Sequence, residues 1–177
     1  MKTLVIHVVD RSTDFLKPIY EGKGFTVMRN PKSPHEVNQA IADHDRVIML
    51  GHGLPGGLFG AGGYAISDMS VPWLMDKPNI YVWCNANRFV EHHGLSGFYS
   101  GMFISEVGEA HYCGVTTTWE KIQASNDKFA EIVGRHVNES PEDLCRAVHA
   151  EYVEEDADGQ FSPDSVIDYN CIQMKYQ

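Results

Sequence analysis

Apolar residues recur along this chain in two rhythms: short unbroken runs of strand length, and longer stretches spaced at three and four residues. The runs predict strands at Thr3 to Val9, Phe25 to Met28, Arg46 to Leu50, Asn79 to Cys84 and His111 to Val115. The helical spacing predicts helices near Ser12 to Tyr20, Phe98 to Ala110 and Glu120 to Val137. Two more helices have explicit start signals. "SPHE" at Ser33 supplies Ser as N-cap, Pro at the first helical position and Glu at the third, opening a helix that runs to about Asp43. "SPED" at Ser140 repeats the signal. Asp68 caps a short helix through Met75, and the tail adds either a short strand or a helix.

Strands alternating with helices predict parallel crossover units, right-handed by the usual twist argument. The expectation is an α/β fold: one three-layer αβα domain over residues 1–177, with a mostly parallel open sheet of about five strands. Ligands of such sheets bind beyond the carboxyl ends of the strands. The residues at those ends are therefore the candidates: Asp10 and Arg11 after the first strand, His52 and Gly53 after the third, Cys84 and Asn85 after the fourth.

Composition narrows the partners. The formal net charge is −10 and no cluster of Lys and Arg occurs, which argues against nucleic acid or an anionic membrane as the main partner. No run approaches the ~20 apolar residues of a membrane span. "MKTLVIHVVDRS" is broken by His7 and Asp10 and has no small-residue cleavage site, so it reads as a first strand rather than a signal peptide. Cys84, Cys113, Cys145 and Cys171 lie far apart without CxxC spacing, and thiols in a reducing cytoplasm are expected.

"VIMLGHGLPGGLFG", residues 47 to 60, carries the chemistry. An apolar strand stops at Gly51-His52-Gly53, and "NIYVWC" stops in the same way at Cys84. If the two strands are neighbours, an imidazole and a thiol emerge side by side. A thiol attacking an acyl carbon needs an imidazole to take its proton and donors for the oxyanion. The backbone N–H groups of Gly53 and Cys84 are candidate donors, since glycine lets a carbonyl approach without a Cβ clash.

"VIMLGHG" and "IYVWC" resemble the two signatures of the caspase-like cysteine peptidases, the group that includes legumain, clostripain and gingipain. The resemblance spans about residues 1 to 115 in element order, and the chain is also similar to small bacterial proteins. It implies a caspase-like fold with His52 as catalytic histidine, Cys84 as nucleophile, and Gly53 with Cys84 as oxyanion hole. It also implies a specificity pocket at the end of the first strand, where Asp10 would select a basic residue or Arg11 an acidic one, with Asn85 beside the nucleophile. A peptide or protein substrate and no cofactor follow. The chain differs from the group in having Trp83 where a small residue usually precedes the nucleophile, and Asn85 and Ala86 where glycine often follows. A non-catalytic binding or scaffold domain on the same fold is the alternative. The oligomeric state is not encoded in any motif.

Other features read as structure. Glu91, His92 and His93 lack an HExxH or CxxC companion, so no metal site is expected and they read as a polar loop at the site mouth. The glycine-rich segment matches neither nucleotide-loop pattern and reads as a mobile rim, and no GxSxG elbow is present. Cys113 and Cys145 read as core; His7 and His44 as structural; His136 and His149 as surface or capping residues on helices; Phe129, Ile132 and Val133 as a packing stripe.

Overall fold

The computed structural model describes residues 1–153 and 165–177. Six strands form one sheet in the order β2-β1-β3-β7-β8-β9, where β1 is Thr3–His7, β2 Thr26–Arg29, β3 Arg46–Leu50, β7 Asn79–Val82, β8 Gly97–Ser100 and β9 Met174–Tyr176. The first five are parallel, and only β9, added by the C-terminal tail, runs antiparallel on the edge. A second, small antiparallel sheet is built from β4 (Gly53–Leu54), β5 (Gly57–Gly60) and β6 (Gly63–Tyr64). The expected α/β fold with a mostly parallel sheet is the fold observed.

Alternation along each strand divides the core between the two faces. Ile48 and Leu50 of β3 join Ile80, Val82 and Phe98 on one face, while Val47 and Met49 join Tyr81, Trp83 and Tyr99 on the other. Both sets are buried, as a parallel sheet covered on both sides requires. The first face is covered by a 3₁₀ turn (Asp14–Ile19), α5 (Trp119–His136) and α6 (Pro141–Glu151), with Cys145 packed in. The second is covered by α1 (Pro34–Ala42), α2 (Val71–Leu74) and α3 (Ala86–His93). Ser33 and Ser140 cap α1 and α6 through the N–H groups of Glu36 and Asp143, as their motifs predict.

Several expectations are corrected. The helix predicted over Phe98 to Ala110 is instead β8, a loop, and α4 (Val107–Tyr112). Gly97 permits the strand: at φ 144° it lies so close to β7 that a Cβ would come 2.2 Å from the Asn79 carbonyl oxygen. The strand predicted at His111 to Val115 is the end of α4, closed by Gly114 at φ 74°. Cys113 thus lies at a helix end, half-buried, accepting a hydrogen bond from Tyr169 Oη at 3.3 Å. Ser12 to Tyr20 holds only the 3₁₀ turn, since Pro18 removes a backbone donor. Ser67, not Asp68, caps the turn that leads into α2. The tail supplies both a helix, α7 (Val166–Ile172), and β9. The acidic loop expected at residues 154–160 lies outside the described residues.

The histidines outside the strand ends serve structure. His7 is fully buried with Nδ1 3.0 Å from Tyr20 Oη, and His44 bridges the Ala40 carbonyl and Thr26 Oγ1. His136 lies between Glu139 and Glu151, and His149 donates to the Met174 carbonyl. Among the described residues no helix is long and apolar enough to cross a membrane.

Candidate functional site

The chain leaves β1 to form β2 on one side and then returns to form β3 on the other. The order therefore reverses between β1 and β3, and the crevice beyond their carboxyl ends is the place where such sheets bind ligands. Short bonds fix both loops there. Val8 N–H donates to the Leu50 carbonyl at 2.9 Å, Thr13 Oγ1 to the Val8 carbonyl at 3.0 Å, and Gly51 N–H to the Val82 carbonyl at 3.1 Å. Gly51 has φ 139°, and a Cβ there would sit 2.8 Å from the Val8 carbonyl oxygen, so the turn into His52 requires glycine.

His52 points its Nε2 at the end of β1. The ring nitrogen lies 2.8 Å from Ser12 Oγ and 3.0 Å from Asp10 Oδ2, and Ser12 Oγ donates to Asp10 Oδ1 at 2.7 Å. With the Ser12 hydroxyl proton given to Asp10, both partners of Nε2 act as acceptors, which places the proton on Nε2 and the lone pair of the neutral ring on Nδ1. Partial burial opposes the charge on Asp10, but hydrogen bonds from Ser12 and the field of His52 hold its carboxyl below the usual carboxylate range. Asp10, expected in a specificity pocket, contacts the His52 ring and also lines the large cavity beside it. Arg11 lines a neighbouring cleft.

Cys84 stands at the turn from β7 into α3. Trp83 before it is buried, its N–H donating to Ser100 Oγ at 3.1 Å. Asn85 after it has φ 67° and ψ 27°, a left-handed conformation, and its N–H donates to the Gly101 carbonyl at 2.9 Å. Asparagine tolerates that region better than most residues, so Asn85 fills the place where a glycine would be expected. The Cys84 thiol donates to the Phe103 carbonyl at 3.5 Å and lies 3.7 Å from Glu109 Oε1. Burial first, and then the Glu109 charge, push its pKa up to about 12.

Cys84 and His52 both line a space of about 20 Å³, with Thr13, Phe15 and Phe103, enough for roughly one water. Among the described residues no hydrogen bond joins the two side chains; each is held by other partners. His52 also lines a cavity of about 680 Å³ between the β1 end, Lys32 and the β5–β6 turn.

Gly53 has two constraints. Its Cβ would fall 1.9 Å from Trp83 Cδ1, so the Trp83 ring occupies the space a side chain would need. The pairing Gly53↔Leu58, flanked by the bond from Phe59 N–H to the His52 carbonyl at 2.9 Å, is a non-hydrogen-bonded pair. The Gly53 N–H therefore points away from β5, outside the ladder. The glycine-rich segment after it is an ordered three-stranded sheet rather than a loose rim. Trp83 Nε1 ties it down by donating to the Leu54 carbonyl at 3.3 Å.

The remaining candidates do not gather at this site. Glu91, His92 and His93 belong to α3 rather than a loop, and the two imidazoles meet edge to face at 4.7 Å. No cluster of three or more metal-ligating side chains occurs among the described residues. Ser12 and Glu109 are the site residues that sequence reasoning missed. Ser12 lies five residues beyond the end of β1, and Glu109 reaches Cys84 across 25 positions with no local signal. Comparison with protein-family models, with curated proteins and with solved structures returns no match, so the chemistry of the site rests on its own geometry.

Proposed function

We propose that the protein is a cysteine-dependent hydrolase of the peptidase type on a caspase-like fold, with His52 and Cys84 as its dyad. The observation that carries the proposal is the cavity they share at the carboxyl ends of the adjacent parallel strands β3 and β7. In the resting arrangement the thiol is protonated and turned to Phe103. Catalysis begins when Sγ rotates from that carbonyl toward His52. The lone pair on Nδ1 takes the thiol proton as Sγ attacks the acyl carbon, while Asp10 and Ser12 hold the Nε2–H and steady the imidazolium. The Gly53 and Cys84 N–H groups receive the oxyanion. His52 then gives its proton to the leaving amine, activates a water, and the thioester is hydrolysed to free acid and thiol. None of these steps calls for a metal or cofactor.

A second reading is favoured by the thiol itself: a Cys84 held at a pKa of about 12 suits a non-catalytic binding domain on the same fold. Labelling by an electrophilic probe separates the two. Wild-type protein and His52→Ala are treated with iodoacetamide, and Cys84 modification is followed by peptide mass spectrometry. The hydrolase reading expects His52-dependent labelling faster than that of Cys113. Equal rates in the two proteins would sink it.

A further inference from the structure

We infer that the cleft between the turn after β1 and the first turns of α5 is a subsite for a cationic side chain, an ammonium or guanidinium group, of a peptide substrate. As a substrate subsite it rests on the hydrolase proposal; as a cation site it stands on its own geometry. The inner cleft has a volume of about 200 Å³ and opens into a wider one of about 670 Å³. Phe15 and Ser105 form its partition from the small cavity that holds Cys84 and His52. A group seated here is therefore one residue-width from the dyad.

What lines the cleft is rich in acceptors. Asp14, Glu106 and Asp127 contribute carboxylates, and Arg11 is the cation among its described lining residues. Lys17 already pairs with Asp14 at 2.8 Å, Gln123 donates to one Asp127 oxygen at 3.1 Å, and the Glu106 side chain accepts from the Glu109 N–H in the α4 capping box, so Asp127 and Glu106 each have a second oxygen for a further donor. Trp119 lies on the same wall with 55% of its surface exposed, an indole face open to a cation.

The independent observation is Asn126. Its side chain is 3% exposed and lines the inner cleft, and its Nδ2 donates to the Ser105 carbonyl at 3.1 Å. A carbonyl can only accept, so this bond fixes which end of the amide is which. Oδ1 then has no partner among the described residues. A buried acceptor without a donor costs on the order of 1–3 kcal/mol, and in native proteins that deficit calls for an explanation. A donor-rich cation explains it: one N–H meets Asn126, others meet Asp127 and Glu106, and the flat face of a guanidinium meets Trp119. An anionic or apolar group would leave Oδ1 unsatisfied and the carboxylates opposed.

The test uses the full chain with Cys84→Ser, so that binding is read without turnover and independently of the dyad. N-acetyl-arginine amide is titrated while the Trp119 indole and Asn126 side-chain amide signals are followed by ¹H–¹⁵N NMR, with N-acetyl-norleucine amide and N-acetyl-glutamate amide as controls. Saturable shifts of both signals are expected with the arginine compound alone. Glu106→Gln and Asp127→Asn keep the capping and Gln123 contacts and should each weaken binding by about 1.5- to 5-fold. Trp119→Ala should weaken it by about 2- to 5-fold, and Arg11→Ala should tighten it. Equal binding of the norleucine or glutamate compound, no binding at all, or indifference to the two carboxylate variants would overturn the inference. Failure of His52-dependent labelling with cation binding intact would instead remove only the hydrolase reading.

Discussion

Glu109→Gln is the sharpest single perturbation of the site. Glu109 is the third residue of α4 and forms a capping box there, and its Oε2 accepts from Ser105 N–H at 2.7 Å, Ser105 Oγ at 2.9 Å and Glu106 N–H at 3.1 Å. Its other oxygen faces Cys84 Sγ at 3.7 Å. Glutamine keeps an acceptor for the cap and removes the charge. At this separation and an effective dielectric of ~20, repulsion between carboxylate and thiolate amounts to about 4 kcal/mol, or roughly three pKa units as an upper bound. The donors on Glu109 already disperse part of that charge, and burial, the larger cause of the shift, remains. The thiol pKa should therefore fall from about 12 by about one to three units.

Each unit multiplies the thiolate population by about ten but lowers its intrinsic nucleophilicity about threefold, so labelling at neutral pH should rise by roughly 3- to 30-fold. The assay is the rate of Cys84 alkylation across neutral to alkaline pH in wild type, Glu109→Gln and Glu109→Asp, with near-UV circular dichroism to check the fold. The midpoint should drop in the glutamine variant and stay high in the aspartate variant, which keeps the charge. A midpoint unmoved or raised in Glu109→Gln would refute the claim that this carboxylate holds the thiol protonated.

Three further outcomes follow from the geometry. Burial lowers the His7 pKa to about 4, so the native state binds its proton less well than the unfolded chain does. Its contribution, on the order of 3 kcal/mol, is complete above pH ~6.5 and lost as the pH falls through about 4; thermal melts across this window should flatten in His7→Gln. Gly53→Ala should cost about 1–3 kcal/mol by driving a Cβ into the Trp83 ring, and a double-mutant cycle with Trp83→Leu should recover much of that loss in urea melts. Asn85→Gly should be neutral or stabilising, whereas Asn85→Val should cost about 1–2 kcal/mol because a β-branched residue resists φ 67°.

The sheet was legible because its central strands are unbroken apolar runs whose two faces are both buried, and such runs leave little choice of structure. β1, β3 and β7 lie within the predicted spans, and the Ser-Pro signals place α1 and α6 correctly. β8 was not legible. "GFYSGMFISEVGEAHY" interleaves Phe98, Phe103 and Ile104 at near-helical spacing, yet Phe98 packs in the sheet, Phe103 over the 3₁₀ turn, and Ile104 in a separate cluster with α4. That division depends on Asn170 of α7, whose amide binds both the N–H and the carbonyl of Ile104 from 66 positions away. No local pattern encodes such a clamp.

The site divides along the same line. His52, Cys84 and Asp10 could be found because each follows an apolar run, but Ser12 and Glu109 could not, since they reach His52 and Cys84 only through the folded sheet. The residues that looked like departures turn out to be linked. Trp83 before the thiol fills the volume that Gly53 leaves empty, and its indole N–H holds the Leu54 carbonyl, so the large residue replaces a small one only because a glycine faces it. Asn85 adopts the left-handed turn that swings the chain from β7 into α3, leaving Cys84 at the tip of a tight corner with its own N–H outside any strand ladder. The indole thus occupies the side of Gly53 where a Cβ would stand, and the left-handed turn at Asn85 carries Cys84 on a tight corner between β7 and α3. What keeps the resting thiol protonated is first its burial and then Glu109, a carboxylate brought in by α4, so part of the thiol's reactivity is set by an element that neither strand motif contains.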